Sequence, residues 1–341
     1  MTAGDAAGAR LPSPSPTRPL SPSPAAARAG VLGATGYTGR ELLRLLAGHP
    51  RLELAFASSE STASLRLLGR SVALVPAARA LDLEADLVFS CLPSGESGPA
   101  AAAAAERGAR VIDLSADLRP PGTGAVYGLT ELYRERIREA SLVANPGCYP
   151  TGVLLALVPL LRLELVASGM PIVVDAASGV TGAGRTVRPE LLFGEVAEDF
   201  RAYATGNVHR HLPEMRWALE AAGGFDVPLV FTPHLLPVRR GILETMHVPV
   251  QPGVTAADVL AVWQSAYGQE ACVELYRERP PSLVDVVGRN VVCVYASDVA
   301  GVGGLVQLVA AFDNLLKGAS GQALQNANLM LGFDETLGLP L

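Results

Sequence analysis

The stretch Val143-Ala144-Asn145-Pro146-Gly147-Cys148-Tyr149-Pro150-Thr151-Gly152 places a thiol where a strand ends, Pro and Gly turn the chain, and an apolar helix begins. Proline suits the first turn of a helix, where its missing N–H is not needed, so Pro150 marks the start. Cys148 therefore stands at or just before a helix N-terminus. Free N–H groups and the positive end of the helix dipole favour a thiolate there, the environment of a nucleophile. Cys91, Cys272 and Cys293 lie in apolar strand or helix patterns and read as small buried residues.

Covalent catalysis by a thiolate needs a general acid/base that works near pH 7. His209-Arg210-His211 with Glu214 supplies the candidates. On an extended segment two residues that are two apart face the same way, so both imidazoles can line one pocket. Either can also be a structural hydrogen-bonder. Glu214 either orients an imidazole or caps the helix that follows Pro213. No further Cys/His cluster accompanies the H-x-H, so it does not read as a metal site. His49 and His247 read as structural.

A second constellation is Gly33-Ala34-Thr35-Gly36-Tyr37-Thr38-Gly39, between a short apolar strand and a helix. Glycines spaced G-x-x-G-x-x-G let the backbone approach a pyrophosphate seated on the helix N-terminus. The end of the second strand, Ala57-Ser58-Ser59-Glu60, selects the cofactor. Ser58 and Ser59 can hydrogen-bond a 2′-phosphate, and Arg66 can pair with it. Glu60 opposes this unless its side chain turns away. The balance favours NADP(H).

Positioning these groups requires alternating elements. Strands are expected at Ala29–Leu32, Leu52–Ala57, Asp86–Cys91 and Arg110–Leu114, with helices at Tyr37–Ala47 and Ala100–Arg107. That alternation predicts an α/β fold with a Rossmann-type, doubly wound parallel sheet. After residue 150 the texture changes. An apolar helix, Pro150–Leu161, precedes strand-like runs at Ile172–Asp175, Leu229–Thr232, Thr245–Val250, Val291–Tyr295 and Leu305–Val309. These predict a second, α+β domain with a mixed or antiparallel sheet, followed by a last helix from about Ala311 towards Gly332.

The 341 residues are 49 % hydrophobic and 18 % charged, enough for two cores. A net charge of −6 argues against a nucleic-acid partner. No apolar run approaches the ~18 residues of a membrane span. Four scattered cysteines make no disulfide framework and suit a reducing, cytoplasmic setting. Residues 11–24, LPSPSPTRPLSPSP, have almost nothing to bury, so residues 1–27 are expected to form a disordered extension. Lysine occurs once, at Lys317.

The motifs together resemble N-acetyl-γ-glutamyl-phosphate reductase, an arginine-biosynthesis enzyme. They are GATGYTG, IDLSADLR (residues 112–119), YGLTEL (127–132), NPGCYPTG, DAASGVTGAGR (175–185), HRHLPE (209–214), PHLLPVRRGIL (233–243) and DNLLKGASGQALQN (313–326). They run in order over residues 29–340. Leu92-Pro93-Ser94-Gly95 departs from the family, which more often has His before that Gly.

The resemblance implies reduction of an acyl phosphate to an aldehyde by NADPH through a thioester on Cys148, with release of inorganic phosphate. It implies that Arg119 and Arg185 bind the substrate's carboxylate and phosphate, with Arg210 beside the histidines and Asn145 and Ser178 as donors. It places Pro93, Ser94, Gly95, Ser178, Gly179, Asn314, Lys317 and Gly318 at the cofactor. It divides the chain into 28–147 for NADP, 148–312 for substrate and oligomerisation, and 313–341 as a helix returning to the first domain. A homo-tetramer or homo-dimer is also implied. Aspartate-semialdehyde dehydrogenase shares the chemistry, but HRHLPE and GCYPTG fit it badly. A reductase of a carrier-protein-bound acyl phosphate in lysine biosynthesis and a non-catalytic NADP sensor are the other readings.

Overall fold

A computed structural model describes residues 26–341. The Pro/Ser-rich segment lies outside the described residues. The first strand, Ala27–Leu32, starts two residues earlier than expected. It belongs to a six-stranded sheet, every neighbouring pair of which is parallel. The order is Leu52–Ala57, Ala27–Leu32, Leu87–Ser90, Arg110–Asp113, Leu142–Ala144, Val126–Tyr127. Parallel strands are covered on both faces, which is why they read as unbroken apolar runs. Val31, Leu87, Phe89, Val111 and Ile112 are fully buried between helices Tyr37–Ala47, Ser97–Glu106 and Thr130–Glu139.

The second lobe is a seven-stranded mixed sheet. Its order is Arg201–Ala202, Leu229–Leu236, Ile172–Gly179, Ile242–Pro249, Leu305–Phe312, Val292–Asp298, Val273–Leu275. Helix Cys148–Arg162 lies against it and is buried from Tyr149 to Leu161. A helix apolar on every side has to be central, and helices Leu212–Gly223 and Ala256–Tyr267 pack on it. Pro159 inside this helix removes the N–H that would bond the Leu155 carbonyl. The Tyr267 hydroxyl donates to that carbonyl instead, at 2.8 Å, so the kink-prone position is satisfied by a neighbour.

The last helix corrects the sequence expectation. Ala311 and Phe312 end the strand Leu305–Phe312, which is paired antiparallel on both sides. Ladder pairing overrides the helix preference of an Ala-rich run. A π-helical turn, Leu316–Ser320, follows, and the helix proper is Gly321–Met330. Leu316, Ala323, Leu324, Ala327 and Met330 complete the core of the first lobe alongside Val31, Leu42 and Phe89. No helix among the described residues is long and apolar enough to cross a membrane.

Candidate active site

Cys148 is the first residue of its helix, two positions before the expected start, with Gly147 as N-cap. The turn is held from both sides by a buried ring of charged groups. Glu214 Oε1 accepts from the Gly147 N–H at 2.8 Å and from the Tyr127 hydroxyl at 2.7 Å. Arg119 Nη1 donates to Glu214 Oε2 at 3.0 Å, while its Nε and Nη2 donate to the carbonyls of Asn145 and Leu114 at 2.9 Å each. Glu214 thus neither orients an imidazole nor caps its own helix; it grips the residue before the thiol. Arg119 is likewise a strut of the turn, and its three donor nitrogens all face protein. Asn145 is buried, donating to Ala319 O at 3.2 Å and accepting from Asn326 at 3.2 Å.

His211 reaches the thiol's turn, and His209 packs on Tyr149, the residue after the thiol. His211 is buried, and its Nε2 lies 2.8 Å from where a Cβ on Gly147 would stand. Its Nδ1 is buried without a partner. His209 Nδ1 accepts from the His211 backbone N–H at 3.2 Å, so the neutral ring carries its hydrogen on Nε2. The two ring centroids are 5.0 Å apart, and Tyr149 packs edge-on against both. Burial, then the Arg210 charge, lowers His209 to about 4. Burial, then Arg119 and Arg210, holds His211 well below its usual value. Both are neutral bases at pH 7.

The thiol departs from expectation. Burial pushes Cys148 up to about 11, against the pull of Arg210, the Tyr149 backbone N–H and Arg119. Cys148 is partly exposed, yet its loss of solvation outweighs the helix terminus and favours the neutral thiol. Arg210 is exposed and makes no ion pair among the described residues, leaving it free for an anion. Gly318 lies on the other side: a Cβ there would stand 3.2 Å from Cys148 Cβ. Sequence reasoning missed Glu244. It is fully buried, neither carboxylate oxygen has a partner, and it fills the space a side chain at Gly152 would take, one turn along the helix from Cys148. Burial raises it well above the carboxylate range, so it is a neutral acid.

The glycine loop has the shape a dinucleotide needs. Gly33 has φ +73°, and a Cβ on it would sit 2.7 Å from Cys91 O. A Cβ on Gly39 would collide with Gly33 O. Helix Tyr37–Ala47 starts at N-cap Gly36 with no side-chain cap and no acid in its first turn, which leaves Tyr37 and Thr38 open to a phosphate. Of the second-strand residues, Ser58 is fully buried and its Oγ accepts from the Gly33 N–H at 3.1 Å, a structural task. Ser59 Oγ bonds Ser61 Oγ at 3.2 Å. Glu60 is tied to the Ala77 N–H at 2.7 Å, so its charge is engaged elsewhere. Arg66 is exposed on the hairpin Ser64–Leu67/Arg70–Ala73.

Several residues expected at ligands hold protein instead. Ser94 Oγ accepts from the Ala116 N–H at 3.2 Å, and the Gly95 N–H donates to the Asp117 carboxylate at 2.8 Å, both just after Pro93. Ser178 donates to Gly179 O at 3.1 Å, and Gly179 packs on the backbone of residues 238–240. Asn314 accepts from the Gly241 N–H at 2.8 Å and donates to Thr181 Oγ1 at 3.0 Å. Lys317 is fully buried, donating to Glu131 at 2.6 Å, Gln325 at 2.7 Å, and Gln322. Arg185 is brought to the glycine loop, donating to Thr35 O at 3.2 Å. Thr38 O accepts from Ser320 Oγ at 2.9 Å, joining that loop to the π turn that carries Gly318.

Comparison with known proteins gives the family. Residues 28–140 match the family model described as semialdehyde dehydrogenase, NAD binding domain, and residues 148–314 match semialdehyde dehydrogenase, dimerisation domain. An N-acetyl-gamma-glutamyl-phosphate reductase of Geotalea daltonii is 41 % identical, over 92 % of this chain and 97 % of that one. The protein of the same name from Alkaliphilus metalliredigens is 42 % identical, over 92 % and 97 %. Among solved structures, aspartate semialdehyde dehydrogenase II of Vibrio cholerae shares the fold with a TM-score of 0.73 at 22 % identity, over 90 % of this chain and 98 % of that one. Identity of 41–42 % over nearly the whole of both chains, with these two matched segments, places the chain in the N-acetyl-γ-glutamyl-phosphate reductase family, among the semialdehyde dehydrogenases.

Proposed function

We propose that the protein reduces N-acetyl-γ-glutamyl phosphate to N-acetylglutamate 5-semialdehyde and phosphate with NADPH, a step of arginine biosynthesis. The observation that carries this reading is Cys148 at the head of its helix, between Gly147, against which His211 lies, and Tyr149, which packs on both imidazoles, with Arg210 exposed and without an ion pair among the described residues. Arg210 attracts the acyl phosphate. Cys148 Sγ attacks the acyl carbon as its proton passes to the His209/His211 pair, and phosphate leaves a thioester, taking one proton from solvent to depart as the hydrogen phosphate dianion. The Gly33–Gly39 loop would hold NADPH, which would supply a hydride to the thioester carbonyl. The imidazolium protonates the oxygen of that carbonyl. Reversal of the transfer with C–S cleavage frees the aldehyde, and the proton returns to sulfur.

The same reading divides the chain into residues 28–147 for the cofactor, 148–312 for the substrate and 313–341 as the returning segment. It takes the protein as a cytoplasmic homo-oligomer, a dimer or a tetramer. Support comes from the four free thiols and from the exposed apolar side chains Val187, Leu192, Phe193, Phe200 and Val208, a surface suited to a second copy. The test is phosphate-dependent oxidation of N-acetylglutamate semialdehyde against aspartate semialdehyde, with NADP and NAD in parallel. The first substrate with NADP should be preferred, and Cys148→Ser should abolish turnover while NADPH still binds. Turnover by Cys148→Ser, or preference for aspartate semialdehyde, contradicts the proposal.

A further inference from the structure

Two guanidinium groups converge on one carbonyl oxygen at the head of the glycine-loop helix. Arg40 Nε and Arg185 Nη1 both donate to Thr35 O, each at 3.2 Å. Arg40 comes from the start of helix Tyr37–Ala47. Arg185 comes from the second lobe, where it follows Gly184, whose φ of +81° turns the loop towards the first. Among the described residues neither arginine forms an ion pair. The nearest acid along the helix, Glu41, is held by Arg44 at 2.6 Å and by Arg240 at 3.3 Å.

Like charges brought to one point need a compensating anion. A single carbonyl dipole does not balance two full cations, and the helix terminus beside them adds positive potential of its own. Arginine forks match phosphate oxygens in geometry as well as charge. The serines at the end of the second strand bond protein groups, the Gly33 N–H and Ser61. We infer that Arg40 and Arg185 are the two arms, one from each lobe, of a clamp for a phosphate group of the bound dinucleotide. This rests on the NADPH reading above and adds to it a binding residue, Arg40, and a relocation of Arg185 from substrate to cofactor. Two groups of the dinucleotide share this chemistry, the 2′-phosphate and the diphosphate bridge.

Fluorescence titration of the full chain with NADPH and with NADH separates them, using wild type, Arg40→Gln and Arg185→Gln. A lost charge-assisted hydrogen bond should weaken NADPH about 10- to 100-fold in each variant. Loss confined to NADPH identifies the 2′-phosphate; equal loss for both dinucleotides identifies the diphosphate. Binding of both within twofold of wild type in both variants, at unchanged melting temperature, overturns the clamp. If wild type itself fails to bind NADPH, the cofactor reading falls first. Arg66→Gln tests the rival 2′-phosphate partner expected from the sequence, exposed on the hairpin Ser64–Leu67/Arg70–Ala73. Loss of NADPH preference in that variant alone also overturns the inference.

Discussion

Replacing Lys317 by Met should destabilise the fold by about 3–5 kcal/mol and leave cofactor affinity unchanged. Lys317 and Glu131 are both fully buried, and the ammonium donates to Glu131, Gln322 and Gln325. Methionine keeps most of the side chain's length but strands a carboxylate left with the Gln325 amide, at 3.1 Å, and a backbone N–H. In the intact protein burial pushes Glu131 up while the Lys317 charge and hydrogen bond bring it net below its ordinary value. Without the lysine, burial alone should raise it above the unfolded value. A carboxyl so raised loses stability as pH climbs through its folded pKa, so the deficit of the variant relative to wild type should shrink on acidification. Lys317→Met/Glu131→Met, which removes both charges, should recover most of the loss. Urea denaturation followed by circular dichroism reads each free energy, and NADPH fluorescence reads affinity under folding conditions. A single variant within 1 kcal/mol of wild type that binds NADPH tenfold more weakly would refute the reasoning, because Lys317 would then be reaching the cofactor.

Three further outcomes follow from the site. Iodoacetamide should label Cys148 ever faster from pH 7 towards 10 without a plateau below pH 9, since burial pushes the thiol up to about 11; a plateau near pH 7 would show a thiolate instead. Glu214→Gln should cost about 3 kcal/mol by leaving the buried Arg119 without its carboxylate, and should loosen the Gly147 turn enough to lower kcat more than it raises substrate KM; wild-type urea stability would count against that role. The folded pKa values of His209 and His211 lie below the ordinary imidazole value, so the unfolded chain takes up protons first as pH falls. Stability should therefore be full above about pH 6.5 and decline between there and pH 4; His209→Asn/His211→Asn should flatten that decline, and an unchanged slope would reject it.

The glycine loop and the thiol were legible because their signals are local. Glycines at a strand-to-helix turn, and Pro150 two residues after Cys148, depend on backbone conformation that neighbours in sequence determine. What was not legible arises across the chain. Lys317 sits after Asn314 and before a glycine, which reads as a ligand loop, yet its partner Glu131 lies 186 residues away. Arg119 follows a polar turn and reads as an anion binder, but its carboxylate comes from Glu214, 95 residues on. The depression of the thiol pKa expected of a helix start was outweighed by burial, which no spacing encodes. Helix Thr130–Glu139 has few apolar residues and so gives no periodic signal, and much of its burial is against the polar face of Gly321–Met330.

That last helix imposes an order on synthesis. The first lobe's strands leave the ribosome early, but a wall of their core, Leu316 to Met330, is translated after the whole second sheet. Until then the surface that meets Ala323, Leu324 and Ala327 has no cover, and a chain halted near residue 150 would present it to solvent. Domains generally fold as they emerge, and those that must wait for distant segments expose apolar surface while they wait. A nascent N-terminal half is thus a natural client for chaperones, and a fragment ending before residue 313 should aggregate even though it contains a complete parallel sheet.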